Sequence, residues 1–236
     1  MPTVVSIQVG QPTRYGTPGA RNPMDRPWFS AIAKQPVTGP VWAGRYNLSG
    51  DVQADLEAHG GPEKAILAYG AGHYPAWRAE LGLPDLPHGA FGENLTLSEL
   101  TEETVCVGDT FALGEALVQV SQPRVPCFKL AYRWRVKDLT ARVAKSRRPG
   151  WYLRVLREGW IEPGSGAQLL ERPYPEWTVR ETLVVEERRR KEPERARELA
   201  ECRSLTAAWR EWLVAEAAKG ERGDAASANA MGGLAG

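Results

Sequence analysis

The sequence lacks the features that mark membrane-spanning, secreted and disulfide-rich proteins. No segment approaches the roughly 20 consecutive apolar residues that a helix needs to cross a bilayer. The amino-terminal MPTVVSIQVGQPTRYG has no basic segment followed by a long apolar run, so we do not expect a secretory signal. Three cysteines at wide spacings and no CxxC pair predict neither a disulfide framework nor a structural zinc site. Free thiols are typical of a reducing compartment, so we expect a cytoplasmic protein with no membrane partner.

An excess of one charge sign and the common nucleotide-binding motifs are also absent. The 30 basic and 29 acidic residues give a net charge of +1, which does not favour nucleic acid as a partner. There is no P-loop, no Rossmann glycine fingerprint and no nucleophile elbow. What remains is an ordinary globular composition, with 42% hydrophobic and 25% charged residues. A chain of 236 residues allows one large domain or one domain plus a small appendage.

Short apolar runs separated by glycine and proline predict a mainly β fold in the first part of the chain. The clearest signal is the hairpin TFALGEALVQVSQP, in which Gly114-Glu115 separates two β-prone runs. We predict further strands at residues 2–9, 28–33, 41–43, 65–69, 95–97 and 167–170. We predict helices at residues 74–81, 136–147 and 151–157.

Toward the carboxy terminus the sequence changes to helical signals. Thr178 and Glu181 form a capping-box pattern at the start of one helix, and Pro193 suits the first turn of a second. Ser204 is predicted to cap a third helix that ends at Lys219-Gly220. We therefore expect a first domain over residues 1–172, a three-helix domain over 173–220 and a disordered Gly/Ala-rich tail over 221–236.

The densest group of reactive side chains lies in the segment VQVSQPRVPCFKL. Its two prolines stiffen the backbone just past a predicted strand, and Arg124 and Lys129 flank Cys127 with positive charge that favours the thiolate. A thiolate at this place can attack an electrophile or bind a soft metal, whereas the alternative is a buried and inert cysteine. Cys106 and Cys202 lie among apolar residues and are predicted to belong to the core.

Two further segments carry candidate site residues. His59-Gly60-Gly61 places an imidazole beside two residues without side chains, and such a turn can bring amide groups close to an anion or a cofactor. Lys64 adds a cation and Asp51 an acceptor, although a polar loop that satisfies its own hydrogen bonds is the alternative. Asn94, in the Gly-Glu-Asn segment, either faces a pocket or closes a turn.

Taken together, four blocks of the sequence resemble one family. SAIAKQPVTGPV, LSGDVQADLEAHGGPEKAILAY, FGENLTL and VGDTFALGEALVQVSQPRVPCFKL occur in the order and spacing of the MOSC domain (molybdenum cofactor sulfurase C-terminal domain). The resemblance covers about residues 3–172 and is strongest to the YiiM-like branch, whose members carry a small three-helix carboxy-terminal domain. It implies a mainly β fold with α: a MOSC-type β-barrel with helical insertions, followed by the three-helix domain.

The resemblance also implies a function. Proteins of this kind bind a molybdenum–pterin cofactor, and their metal-binding cysteine corresponds to Cys127. They are linked to the reduction of N-hydroxylated compounds, including hydroxylaminopurine base analogues. Our mechanistic hypothesis is the two-electron reduction of N–OH to N–H with loss of water, with an external electron donor protein as partner and with Asp51 or His59 relaying protons. The cofactor-binding residues expected here are His59, Gly60, Gly61, Lys64, Asn94, Arg124 and Lys129.

Two other functions are compatible with the same residues. In the first, Cys127 holds a persulfide and the protein is a sulfur carrier or sulfurtransferase without a bound pterin. In the second, the chain is a non-enzymatic binding module for nucleic acid or a protein partner. The sequence is compatible with three roles for the carboxy-terminal helices: docking on the barrel, recruiting the electron donor or forming a homodimer.

Overall fold

The computed structural model describes the backbone of residues 1–232 and their side chains, except those of Ala58 and residues 223–232. Its strands are β1 (Val4–Val9), β2 (Thr13–Tyr15), β3 (Trp28–Ser30), β4 (Gln35–Val37), β5 (Val41–Ala43), β6 (Ile66–Gly70), β7 (Leu95–Leu97), β8 (Thr110–Leu113), β9 (Ala116–Pro123), β10 (Trp151–Arg157), β11 (Gly159–Ile161) and β12 (Ala167–Glu171). Eight of them form one sheet with the order β12-β8-β9-β10-β6-β7-β1-β4, in which all neighbours are antiparallel except the parallel pair β6 and β7. Two small two-stranded sheets, β11-β5 and β2-β3, accompany it.

The large sheet curls so that β12, at one edge, meets β1, which lies next to the other edge. The amide of Val4 in β1 donates to the carbonyl of Ser165 at 2.9 Å, and the amide of Ala167 in β12 donates to the carbonyl of Pro2 at 2.8 Å. These bonds link two strands that stand far apart in the strand order. The apolar side chains enclosed by the curled sheet form the main core, which confirms the predicted mainly β fold with α.

The hairpin predicted at Gly114-Glu115 is present. It joins β8 to β9 in an antiparallel pair with Leu113 opposite Ala116. Gly114 has a φ of +55°, and a Cβ there would lie 2.6 Å from the carbonyl oxygen of Trp160, so both the turn and the packing favour glycine. Strand β9 is buried over most of its length and leads directly into the Cys127 segment.

Short helices connect the strands, and longer ones follow the sheet. The predicted helix at residues 74–81 is α2, which ends at Gly82 in the left-handed conformation. Among the described residues, no helix is long and apolar enough to span a membrane. The helices are α1 (Leu56–His59), α2 (Tyr74–Leu81), α3 (Lys129–Trp134), α4 (Leu139–Ser146), α5 (Val179–Arg188), α6 (Pro193–Ala200) and α7 (Ala207–Gly232).

Two of the predicted helices are corrected by the structure. Residues 151–157 form strand β10 and not a helix, because β9 and β6 pair with them on both sides in the middle of the sheet. The helix predicted at 136–147 is shorter, and α3 precedes it. The apolar residues of a short central strand do not distinguish it from a buried helix, so the pattern alone favoured the wrong element.

At the carboxy terminus the first two helix starts are confirmed. Thr178 caps α5 by accepting from the Glu181 amide at 3.0 Å, and Pro193 lies in the first turn of α6. The predicted cap Ser204 is wrong: α7 begins at Ala207, and Thr206 accepts from the Trp209 amide at 3.4 Å. The helix also continues past the predicted end at Lys219-Gly220, so residues 221–232 of the predicted disordered tail are helical, and residues 233–236 lie outside the described residues.

The carboxy-terminal helices enclose a second, smaller core. It contains apolar side chains of α5, α6 and α7 together with Val107 and Trp177, which precede β8 and α5. Leu199 of α6 is almost fully buried in this core, and so are Cys202 and Leu205 in the turn that follows it. The boundary drawn at residues 172 and 173 stays a prediction.

Candidate functional site

A cavity of about 90 Å³ gathers most of the residues that the sequence singled out. Five stretches of chain form it: the segment that begins at the end of β3, the loop and turn that lead into β6, the residues just before β7, the segment that follows β9, and the start of β10. The lining side chains from the predicted set are Asp51, His59, Lys64, Asn94, Arg124, Cys127 and Lys129, and Lys34 and Tyr152 join them.

Cys127 lies in a tight turn between the end of β9 and the start of α3. Its carbonyl accepts from the Leu130 amide at 3.1 Å and from the Thr140 hydroxyl at 3.2 Å, which fixes the turn. The residue is partly exposed, in contrast to Cys106 and Cys202, which are buried in the core as predicted. Cys127 is therefore the cysteine whose thiol can reach a ligand in the cavity.

Arg124 brings a buried positive charge to the same cavity. It is 4% exposed, and its backbone amide donates to the carbonyl of Gly150 at 3.0 Å, which holds the residue against the start of β10. Its guanidinium makes one long hydrogen bond, at 3.5 Å, to the carbonyl of Pro149, and no carboxylate among the described residues forms an ion pair with it. A buried guanidinium has five donors and needs an anionic partner, so this side chain is prepared to bind an anion.

Positive charges surround His59. Burial lowers its pKa below the ordinary value, and the nearby charges of Arg124 and Lys129 lower it further, while Asp55 opposes them. The pKa of Lys64 is also lowered by burial, again with Asp55 acting in the opposite direction. The neutral form of His59 is thus favoured, and the site has a positive field that an anion would relieve.

Gly60 and Gly61 shape the turn and do not line the cavity. The amides of His59 and Gly60 already donate within α1, to the carbonyls of Asp55 and Leu56, so they are not directed at a ligand. A Cβ on Gly60 would lie 2.5 Å from the Leu56 carbonyl oxygen, and Gly61 has a φ of +92°. The two glycines allow the sharp turn that places His59 at the cavity wall.

Asn94 lines the cavity, but its side chain connects two strands. Its Oδ1 accepts from the Leu67 amide in β6 at 3.0 Å, and its Nδ2 donates to the Gln8 carbonyl in β1 at 3.3 Å. These bonds occupy the carboxamide oxygen and one amide hydrogen. The side chain therefore serves mainly to join the strands at the cavity floor.

Asp51 forms a buried ion pair with Lys34, a residue that the sequence analysis did not single out. Asp51 is 2% exposed, and its Oδ1 accepts from the Gly10 amide at 2.8 Å and from Lys34 Nζ. Its Oδ2 is buried and has no hydrogen-bond partner among the described residues. Burial lowers the pKa of Lys34, and the charge of Asp51 opposes that shift. The pair provides an exchangeable proton and a free acceptor beside the cavity.

Tyr152 is the other residue that sequence reasoning missed. It lies opposite Gln122 in the β9–β10 pair, and burial raises the pKa of its phenol, with Arg124 and Cys127 close enough to act on it. The assignment of residues 151–157 to a helix concealed this placement. Strand pairing with β9 was the missing information, because it brings Tyr152 next to the Cys127 segment.

Among the side chains of residues 1–222 that the structure describes, no group of three or more His, Cys, Asp or Glu is arranged to hold a metal ion. A thiolate is suited to soft metals, and the basic side chains are suited to the anionic groups of a cofactor.

Comparison with known proteins agrees with the resemblance noted in the sequence. The family model described as the MOSC domain matches residues 55–167. The uncharacterized protein YflK of Bacillus subtilis is 46% identical over 170 residues, which cover 72% of this chain and 74% of that protein. A Gibberella moniliformis protein named "Reductase" is 46% identical over 153 residues, covering 64% of this chain but 27% of that protein.

A solved structure has the same fold over nearly the whole chain. The crystal structure of YiiM from Geobacillus stearothermophilus superimposes with a TM-score of 0.76 at 35% sequence identity. The match covers 92% of this chain and all of that one, so it includes the carboxy-terminal helices. The chain belongs to the MOSC domain family.

Proposed function

We propose that this protein is a molybdenum-cofactor-dependent reductase of N-hydroxylated compounds, such as hydroxylaminopurine base analogues. Membership of the MOSC domain family and the relative named as a reductase support an oxidoreductase. The observation that carries the proposal is the joint placement of Cys127 and Arg124. A partly exposed thiol and a buried guanidinium that pairs with no described carboxylate line one cavity, as a metal-bearing anionic cofactor requires.

The residues of the cavity fit that cofactor. The Cys127 thiolate would bind the metal, and Arg124, Lys64 and Lys129 would bind the phosphate and the polar edge of the pterin. When bound, the cofactor would supply two-electron redox chemistry, while the protein supplies position and electrostatics. Bound anionic groups would also offset the mutual repulsion of the basic side chains, which stabilises the loaded form.

Reduction of an N–OH group consumes two electrons and two protons and yields an N–H group and water. The electrons come from an external electron donor protein in this proposal. In this proposal the Lys34 ammonium gives a proton to the leaving oxygen, and the buried Oδ2 of its partner Asp51 accepts a hydrogen bond from the substrate. His59, kept neutral by burial and by neighbouring cations, is the second candidate for proton transfer.

The test is the molybdenum and pterin content of protein made in a host that synthesises the cofactor. Metal would be measured by elemental analysis and pterin by fluorescence after release. We expect near-stoichiometric amounts of both in the wild type, loss of both in Cys127→Ala, and retention of both in Cys202→Ala, which removes a thiol outside the cavity. Loaded protein would then be assayed with 6-hydroxylaminopurine and a chemical electron donor. Retention of metal and activity in Cys127→Ala would contradict the role given to this cysteine.

Sulfur transfer is the outcome to look for if the cofactor is absent. Wild-type protein without metal or pterin, despite confirmed cofactor supply, would refute the reductase proposal. Cyanide-labile sulfur on that protein, lost in Cys127→Ala and kept in Cys202→Ala, would instead identify a persulfide carrier that uses the same thiol.

A further inference from the structure

Three elements that line the Cys127 cavity meet at one buried side chain, Ser121 in β9. Its Oγ lies 2.6 Å from the carbonyl oxygen of Glu63 and 3.1 Å from that of Tyr152. The single hydroxyl proton of Ser121 can be donated to one of these two carbonyl oxygens at a time. Glu63 directly precedes Lys64, and Arg124 follows three residues after Ser121. The positions of two cavity cations and of Tyr152 therefore depend on this junction.

The turn of residues 204–206, which joins α6 to α7, is hydrogen-bonded to the same junction. The amide of Thr206 donates to the carbonyl of Ser121 at 3.2 Å, and its hydroxyl donates to Gln122 Oε1 at 2.9 Å. That hydroxyl also accepts from the Trp209 amide in the first turn of α7. Thr206 thus links the start of α7 directly to the last residues of β9 before Arg124.

Arg154 in β10 makes the second connection from this turn. Its Nη2 donates to the carbonyl of Ser204 at 2.8 Å and to the carboxylate of Glu63, and its Nη1 donates to Gln119 Oε1 at 3.0 Å. The Arg154 side chain is largely buried, so solvent screens this ion pair less than an exposed one. One guanidinium thereby ties the 204–206 turn to Glu63 and to Gln119 in β9.

We infer that the carboxy-terminal helices set the geometry of the cofactor cavity through the 204–206 turn, with Thr206 and Arg154 as positioning residues. Neither side chain lines the cavity, so each acts through the backbone of its neighbours. Their hydrogen bonds hold the segments of residues 62–64 and 121–124 at a fixed separation, and hence the Lys64 and Arg124 charges. The inference rests on the proposed function only in taking this cavity as the cofactor site.

The test measures the local stability of the two cavity segments, as amide hydrogen exchange detected by mass spectrometry on cofactor-free protein. In Thr206→Val and Arg154→Met, we expect exchange at residues 61–65 and 119–127 to become about two- to tenfold faster, the effect of losing one or two hydrogen bonds. Exchange rates in β8 and β12 should change less than those in the two cavity segments. Thr206→Ser keeps the hydroxyl and Arg154→Lys keeps the charge, so these variants should recover part of the protection.

Arg157→Met is the matched control for Arg154, because Arg157 lies on the same strand but donates to the carbonyl of Glu115, away from the junction. Its exchange at the cavity segments should match that of the wild type. Uniformly faster exchange, or faster exchange confined to α6 and α7, would overturn the inference. Pterin content, measured in parallel, should fall in Thr206→Val and stay unchanged in Arg157→Met. A wild type without pterin would refute the proposed function, whereas the exchange data would still decide the positioning role.

Discussion

In the proposed site, we expect anion binding to depend chiefly on Arg124. Because no described carboxylate forms an ion pair with its guanidinium, we expect Arg124→Met to weaken cofactor retention without a large loss of stability. A hydrogen bond to a charged group contributes about 1.5–3 kcal/mol, which corresponds to about 10- to 100-fold in affinity. Pterin released per chain should therefore fall about tenfold or more. Arg157→Met, which removes an exposed arginine of β10, should retain the wild-type amount, and a retained pterin content in Arg124→Met would contradict the assignment.

His59 gives the site a pH dependence whose sign can be worked out. Its pKa is lowered in the folded protein, so the unfolded chain binds more protons over the pH range between the folded value and the ordinary value of about 6.5. Stability should consequently rise with pH through this range and be lost as the pH falls below about 6.5. In urea unfolding from pH 7.5 to pH 5, the wild type should lose more stability than His59→Gln, which cannot be protonated. Parallel pH profiles of the two proteins would exclude the proposed environment of His59.

Variants of the Lys34–Asp51 pair can distinguish its contribution to stability from its proposed role in proton transfer. Lys34→Met leaves a buried carboxylate without its cation, and breaking a buried pair in this way costs about 3–5 kcal/mol. Adding Asp51→Asn removes the uncompensated charge, so the double variant should recover much of that loss in urea unfolding. Turnover of the N-hydroxylated substrate should remain low in both variants, with pterin content restored in the double variant. Recovery of turnover together with stability would show that the pair is structural.

Among the connecting elements, the α1 turn is the one whose backbone most directly shapes the site. Gly60→Ala would bring a Cβ to 2.5 Å from the Leu56 carbonyl oxygen, and overpacking of this kind costs about 1–3 kcal/mol. We expect a lower thermal midpoint and a displaced His59. Gly72→Ala is the control, since a Cβ there meets nothing within 4 Å and its φ is not left-handed. An equal effect of the two substitutions would contradict this account of the turn.

The sequence predicts those elements whose signals are local. The β8–β9 hairpin depends on Gly114 and the start of α5 on Thr178, and each signal is complete within a few residues of chain. Strand β10 was predicted as a helix because its state is decided by β9 and β6, which are distant in sequence. The cap of α7 lies at Thr206 and not at Ser204, because Thr206 is also held by β9.

The same distinction applies to the site. Cys127 and Arg124 belong to one short segment, so their proximity can be read from the sequence, and the HGG turn adds His59 from a second. Lys34 is recognised only through its contact with Asp51 across the fold, and Tyr152 only through its pairing with β9. Motifs therefore predict which chemistry is present, whereas the partners that tune it become visible in the tertiary structure.

At the scale of the whole molecule, α5 joins the two cores. Val179 at its start belongs to the core inside the curled sheet, and Val185 two turns later belongs to the core of the carboxy-terminal helices. Val107, in the segment before β8, also packs among those helices. Because α5 contributes side chains to both cores, unfolding of the helical core should destabilise the sheet as well.

This arrangement predicts one unfolding transition for the predicted first and second domains. Leu213 in α7 is fully buried, and Leu213→Ala should cost about 2–5 kcal/mol through the cavity it leaves. If the cores are coupled, urea curves followed by far-ultraviolet circular dichroism and by tryptophan fluorescence should coincide in the wild type, and both should move to lower urea in Leu213→Ala. Two separated transitions, with Leu213→Ala moving only the first, would show that the helices unfold independently. The cavity would then not depend on them for its geometry, contrary to the hydrogen bonds that join the 204–206 turn to β9.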